Sequence, residues 1–193
     1  MIRTRKLRGR VCQGDVFGEV PFIEYAVETN GIIEVSKIVF PLVIVLSQDC
    51  DLQQDSKNSS LRRDAAAGSL LLSVLVAPLY NAVHVLNGEH LSELGIRVTP
   101  ITSSTAKHLL TTNQNPRYHY FEFPDKDHLV PCIVDFKHYF SINAKFLQDV
   151  RRTHRVTSVS TLFREDISHR FASYLARIGL PNAIAKVREQ DTR

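Results

Sequence analysis

The chain's apolar residues follow two patterns, and the change between them predicts most of the elements. From Val11 to Ala77 they come as strand-like runs. In "RVCQGDVFGEVPFIEY", Val11, Val16, Phe17, Val20, Phe22 and Ile23 are strand formers punctuated by Gly14, Gly18 and Pro21. Gly14-Asp15 predicts a turn or bulge into a strand. Asn30-Gly31 is a turn signal that opens "GIIEVSKIVFPLVIVLS", apolar from Ile38 to Leu46 apart from a bend at Pro41. An apolar run without alternation predicts a strand covered on both faces. "SLLLSVLVAPLYNAVHVL" predicts another such strand, Leu70 to Ala77, ending at Pro78. Between the two, "DLQQDSKNSSLRRDAAAG" reads as a long loop with a helical turn, stopped by Gly68.

Later segments are shorter. "GEHLSEL" and "SSTAKHLLTT" predict two short helices, the second capped by Ser103 or Ser104. "RYHYFEFP" places Tyr118, Tyr120 and Phe123 as a half-buried strand would, and "LVPCIVDFKHYFSI" predicts two short strands. "NAKFL" and "QDVRRTHRVTS" read as a connector. In "STLFREDISHRFASYLARIGLP", Phe163, Ile167, Phe171, Tyr174 and Ile178 share one helical face. Ser160 or Thr161 caps that helix, Glu165 and Asp166 lie near its positive end, and Gly179 and Pro181 stop it. "NAIAKVREQ" suits one more short helix. The predicted class is mainly β (α+β) with a C-terminal helix.

Composition narrows the class without naming a function. A chain of 193 residues, 44% hydrophobic and 23% charged, fits one globular domain with a real core. No apolar run reaches the roughly 20 residues of a membrane span, and no apolar signal segment follows the basic start. The expected location is the cytoplasm, with no membrane partner. Three well-separated cysteines, Cys12, Cys50 and Cys132, suggest reduced thiols rather than a disulfide framework. A net charge of +4 permits an anionic partner without requiring one. The organisation expected is a basic N-terminal arm (1–10), a β-rich body with helical insertions (11–150) and a C-terminal helical appendage packed on it (151–193). The arm reads as a solvated terminus, or as a segment that touches phosphates.

Candidate chemistry centres on "SQDCDL", where the apolar strand gives way to Asp49-Cys50-Asp51. A nucleophilic thiol at Cys50 would need a nearby cation or histidine, and the flanking carboxylates act against its thiolate. The competing reading makes Cys50 a small buried hydrophobe. In an extended chain Asp49 and Asp51 share the face opposite Cys50, where they could hold a divalent cation or form a solvated turn. His84, His90, His108, His119, His128 and His138 stand at no diagnostic spacing, and no paired-cysteine zinc motif occurs. For nucleic acid, Arg151, Arg152, His154 and Arg155 offer phosphate contacts. Arg117 beside Tyr118, His119 and Tyr120 offers a basic and aromatic mixture suited to stacking bases, or a strand buried on one face.

The order of four segments carries a resemblance. Gly14-Asp15-Val16, then Pro41-Leu42-Val43-Ile44-Val45-Leu46-Ser47, then Val76-Ala77-Pro78-Leu79, then Val134-Asp135-Phe136 resemble the strand signature of the PemK/MazF family. The resemblance covers about residues 11 to 147, with long insertions. It implies an SH3-like PemK-type barrel with helical insertions. Many members are toxins that cleave single-stranded RNA. The family's arginine before the second-strand proline and its threonine after the third-strand Pro-Ile pair correspond here to Phe40 and Tyr80. Phenylalanine cannot stabilise charge on a phosphate. The resemblance, read residue by residue, therefore implies a non-catalytic PemK-like module. Its partner would be nucleic acid (RNA before DNA) or a protein, in a bacterial toxin-antitoxin or phage-defence setting. Family members are often dimers, which implies a homodimer. The alternative is a diverged endoribonuclease with a relocated site drawn from Asp49, Asp51, Tyr80 and a loop arginine among Arg62, Arg63 and Arg117. A cysteine-dependent hydrolase at Cys50 is a third reading. No cofactor is expected, apart from a divalent cation if Asp49 and Asp51 hold one.

Overall fold

The computed structural model describes residues 2–7, 9–58 and 70–177. Its seven strands form one antiparallel sheet. β1 (Asp15–Thr29) and β2 (Ile32–Val45) are a long hairpin, registered from Val16 opposite Ile44 to Thr29 opposite Ile32. Asn30 and Gly31 at its tip both have positive φ, 54° and 78°, as a two-residue turn matched to strand twist requires. Pro41 does not break β2. The pairing passes from Gly18–Leu42 to Val20–Phe40, so no partner is needed for the missing N–H. β3 (Ser73–Asn81) pairs with β2 through Val76–Pro78. On its other side it changes partner. Ser73–Val76 pair with β6 (Phe140–Asn143), and Leu79–Asn81 pair with β5 (Cys132–Asp135). Pro78, expected to end this strand, sits at that change of partner, where no neighbour on that side needs its N–H.

β4 (Tyr118–Phe121) lies outside β5, and β7 (Arg155–Ser158) lies outside β1. The order is β4-β5-β3-β2-β1-β7, with β6 beside β3, and the ladder does not close on itself. The N-terminal segment runs between its ends. Arg5 N–H donates to Ser158 O and Ser160 N–H to Arg3 O, both at 2.8 Å, and Ile2 N–H reaches Glu122 O just beyond β4 at 2.8 Å. Residues 2–5 are thus part of the fold rather than a solvated terminus, and Ile2 is buried. Two free sheet edges and one apolar side chain outweigh the charge of the segment.

Five α-helices accompany the sheet among the described residues: α1 (Asp49–Asn58), α2 (Ala82–Asn87), α3 (Ser104–Thr111), α4 (Ala144–Val150) and α5 (Thr161–Leu175). The paired Val16 and Ile44 pack in one core with Ile167 and Phe171 of α5. Their neighbours Phe17 and Val43 pack in a second core with Leu52 of α1 and Leu147 of α4. Both sheet faces are therefore covered, which explains the unbroken apolar run at Leu42–Leu46. A third core joins Val85 of α2 and Leu110 of α3 to Tyr118 and Ile133. Ser103 caps α3, its Oγ accepting from Ala106 N–H at 3.4 Å. The connector expected at 143–158 is instead α4, capped by Asn143, followed by β7. The predicted stop at Gly179 and Pro181, Ile178 and the helix over "NAIAKVREQ" lie outside the described residues.

Buried Asp15 ties these parts together. Its carboxylate accepts from Cys12 N–H at 2.9 Å, Arg155 Nη1 at 3.0 Å and Ser158 Oγ at 2.5 Å. Burial pushes its pKa up, and the bonds from Ser158 and Arg155 oppose that rise.

Beyond the Phe22, Phe40 and Phe140 ring cluster, the β1–β2 hairpin runs on as a bare two-stranded ribbon. Ile23, Tyr25, Val27, Ile32, Ile33 and Val35 are exposed along it.

His119 on β4 is buried against Phe121, with ring centroids 4.6 Å apart. Burial pushes its pKa down to about 3, and the charge of Arg170 adds to the fall. The imidazole is therefore neutral, and its 4.0 Å approach to Asp166 is not an ion pair at neutral pH. The unfolded chain takes up a proton near pH 6.5, the folded chain only near pH 3. The His119 contribution is thus fully present above pH 6.5 and is lost as pH falls from there toward 3. His119→Leu should flatten this part of the acid loss of stability, measured by urea unfolding at a series of pH values.

Candidate functional site

Asp49-Cys50-Asp51 forms the first turn of α1, not the end of a strand. Successive helical side chains do not alternate between two faces, so the expected pairing of Asp49 with Asp51 does not arise. Asp49 is bound internally. Arg10 clasps its two oxygens at 3.1 and 2.9 Å, Arg164 Nη1 approaches Oδ2 at 2.9 Å, and Gln13 N–H donates to Oδ1 at 3.2 Å. Burial acts to raise the Asp49 pKa, but the two guanidiniums outweigh it and hold the carboxyl below its usual range. Asp51 is exposed on the helix surface. Cys50, a candidate nucleophile whose competing reading is a small buried hydrophobe, is exposed as well, which removes the buried reading, and its thiol lies 3.4 Å from Asp51 Oδ1. Cys12 and Cys132 are the buried cysteines. Burial raises both their pKa values, that of Cys132 to about 11.

The predicted nucleic-acid arginines are mostly engaged inside the fold. Arg155 bonds Asp15 and Arg10 O, and Arg151 bonds Gly9 O and Gln148 O. Arg152 is exposed. Arg62 and Arg63 lie outside the described residues. Of the proposed stacking aromatics, Tyr118 and His119 are buried and Tyr120 half-buried.

Tyr80 and Arg117 meet at one place. Tyr80 lies near the end of β3, opposite Ile133 of β5. β5 ends at Asp135, which caps the 3₁₀ turn Phe136–His138 by accepting from Lys137 N–H at 3.0 Å. That turn brings His138 Nδ1 to 3.2 Å from the Tyr80 hydroxyl and 3.7 Å from Asp135 Oδ2. Asp135 is fully buried, and Arg117, just before β4, compensates it. Arg117 Nε lies 2.8 and 3.0 Å from the two carboxylate oxygens, and Nη2 bonds Oδ2.

A loop after α2 completes the group. Gly88 ends α2 with φ 74°, and a Cβ there would fall 2.0 Å from Val98 O, so only glycine allows this close return. The return sets the His90 ring edge-on to Tyr80, centroids 4.9 Å apart. Among the described residues, neither of the buried His90 ring nitrogens has a hydrogen-bond partner. One ligand-capable atom each from His90, Asp135 and His138 lies within 4.8 Å of the others. Tyr80 and His90 line a cleft of about 1190 Å³, together with Phe40, Asn81, His84 and Arg97.

The electrostatics follow from burial. The Tyr80 hydroxyl is pushed up by burial and by the charge of Asp135, so it keeps its proton. Burial lowers the pKa of His90, and proximity to His138 adds to this. Burial also lowers His138, against the pull of Asp135. The site therefore holds two neutral imidazoles, a protonated phenol and a carboxylate neutralised by a guanidinium. Sequence reasoning picked out Tyr80 and Arg117 but gave His90, Asp135 and His138 no site role. The i, i+3 spacing of Asp135 and His138 was the one local signal.

No protein-family model matches the chain, and no curated protein matches it.

Asp49→Ala should cost about 3 kcal/mol, since it strands two part-buried guanidiniums, while Asp51→Ala should change stability by no more than about 0.5 kcal/mol. Urea unfolding of the two variants checks this. A thiol reagent such as DTNB should label Cys50 in the native protein and reach Cys12 and Cys132 only after unfolding.

Proposed function

We propose that the chain is a diverged PemK-like protein with a relocated active site, which cleaves single-stranded RNA in the cleft at Tyr80. One observation carries the reading. Tyr80, in the place of the family's catalytic threonine, stands 3.2 Å from His138, with Asp135 and Arg117 behind and the unpartnered His90 against its ring.

RNA cleavage by its own 2′-hydroxyl needs these kinds of group. The 2′-oxygen attacks the adjacent phosphorus and gives up its proton to a base. The bond from phosphorus to the 5′-oxygen breaks, and that oxygen takes a proton. The products are a 2′,3′-cyclic phosphate and a 5′-hydroxyl. Neutral imidazoles accept protons and a phenol donates one. The wall suits unpaired bases: Phe40, Tyr80, His84 and His90 offer stacking surfaces, and Asn81 an amide edge. Phe40 gives this wall a ring where the family has a cation. The N-terminal segment that spans β7 and Glu122 supports the SH3-like barrel as the finer description of the sheet.

A second reading is the non-catalytic module. The internal engagement of Arg117, Arg151 and Arg155 favours it, because those three guanidiniums are then not free to meet a phosphate. In that reading the chain binds RNA or a partner protein, as a cytoplasmic homodimer in a toxin-antitoxin or phage-defence module.

The deciding experiment is cleavage of a mixed-sequence single-stranded RNA by the full chain, with His138→Ala and Tyr80→Phe in parallel. The expected result is cleavage that drops about 100-fold or more in His138→Ala with RNA binding retained. Salt-sensitive binding by the wild-type protein with no cleavage would instead establish the second reading.

A further inference from the structure

We propose that His90, Asp135 and His138 form a site for a first-row divalent transition ion of the zinc class. The donor set decides the class. Two imidazoles and one carboxylate suit zinc, cobalt, nickel or iron, whereas magnesium and calcium take oxygen shells. The donor atoms lie within 4.8 Å of one another. In a tetrahedral set with bonds of about 2.0–2.2 Å the ligand atoms lie about 3.3–3.6 Å apart, so the widest pair must close by up to about 1.5 Å, a side-chain adjustment.

Three features point to a ligand rather than to packing. The first is His90. Its ring is half-buried, yet among the described residues neither of its buried nitrogens has a hydrogen-bond partner, and such atoms cost free energy when left unpaired. The second is the support around Asp135. Arg117 and the Lys137 N–H fix this carboxylate from behind, as outer-shell partners fix metal ligands. The Tyr80 hydroxyl, 3.2 Å from His138 Nδ1, holds the orientation of that ring. The third is shape. The ligands come from three segments, and His90 and Tyr80 open onto the cleft. Three protein ligands with an open position are the arrangement of a catalytic rather than a structural ion.

The role of the ion rests on the RNA reading given above, with the base's part then taken by water on the ion, because a ligating imidazole no longer accepts a proton. Phe40 stands where the family has a cation, and Asp135 engages Arg117, so neither position supplies a free positive charge beside Tyr80. An ion here would supply it by polarising a phosphoryl oxygen. Binding of the ion does not depend on that reading.

The test uses the full chain without a histidine tag, stripped with a chelator. Titration with cobalt(II) chloride should give visible absorption bands that saturate at one equivalent, and zinc chloride should displace the cobalt. His90→Gln and His138→Gln should each weaken cobalt binding more than about 100-fold, exceeding the loss usual for outer-shell partners. Urea midpoints measured without metal separate this loss from misfolding. No cobalt bands, or bands that survive both substitutions, would overturn the site. Cobalt binding without RNA cleavage would leave the site standing and remove the RNA reading. Cleavage by stripped protein that binds no cobalt would do the reverse.

Discussion

A carboxylate withdrawn from water must bring its cation with it, and three such pairings hold this chain together. Asp15 sits with Arg155 and Ser158, Asp49 with Arg10 and Arg164, and Asp135 with Arg117. An unpaired charge at any of these positions would cost several kcal/mol, so each pair fixes segments far apart in sequence. Asp15 joins β1 to β7, Asp49 joins the N-terminal segment and α1 to α5, and Asp135 joins the end of β5 to the start of β4. The same constraint withdraws basic residues from the surface. Arginines that look like a nucleic-acid footprint in the sequence are largely fastenings in the fold.

The cleft at Tyr80 inherits its order from these fastenings. Tyr80 and Asp135 lie on paired strands, and the 3₁₀ turn and the Gly88 return place His138 and His90 against them. Packing governs everything around His90 except its own nitrogens. Proteins tolerate such local polar cost mainly where a site requires it.

What the sequence revealed was what depends on local pattern. The Asn30-Gly31 hairpin, the two-faced strands, the Ser103 cap and the Ile167–Phe171 helix each follow from residues within a turn or a strand of one another. Three other features did not show. α4 and β7 are short, and Arg155 begins the strand with a charge whose partner, Asp15, is 140 positions away. The "SQDCDL" reading assumed an extended chain, but the backbone turns helical at Asp49, which reverses where Cys50 points. His90 and His138 are 48 positions apart and meet only because β3 and β5 pair. No spacing rule finds a site made that way.

The bare ribbon has a consequence for how the molecule moves. Its far half is held by one hairpin's hydrogen bonds and little packing, a structure marginal in water by itself. It frays from the Asn30–Gly31 tip without disturbing Val43 or Val16, which are locked in the two cores. Amide protons of the ribbon therefore exchange through small local openings, while those at the root wait for global unfolding. One continuous strand, β2, spans both regimes, and the boundary falls near the phenylalanine cluster.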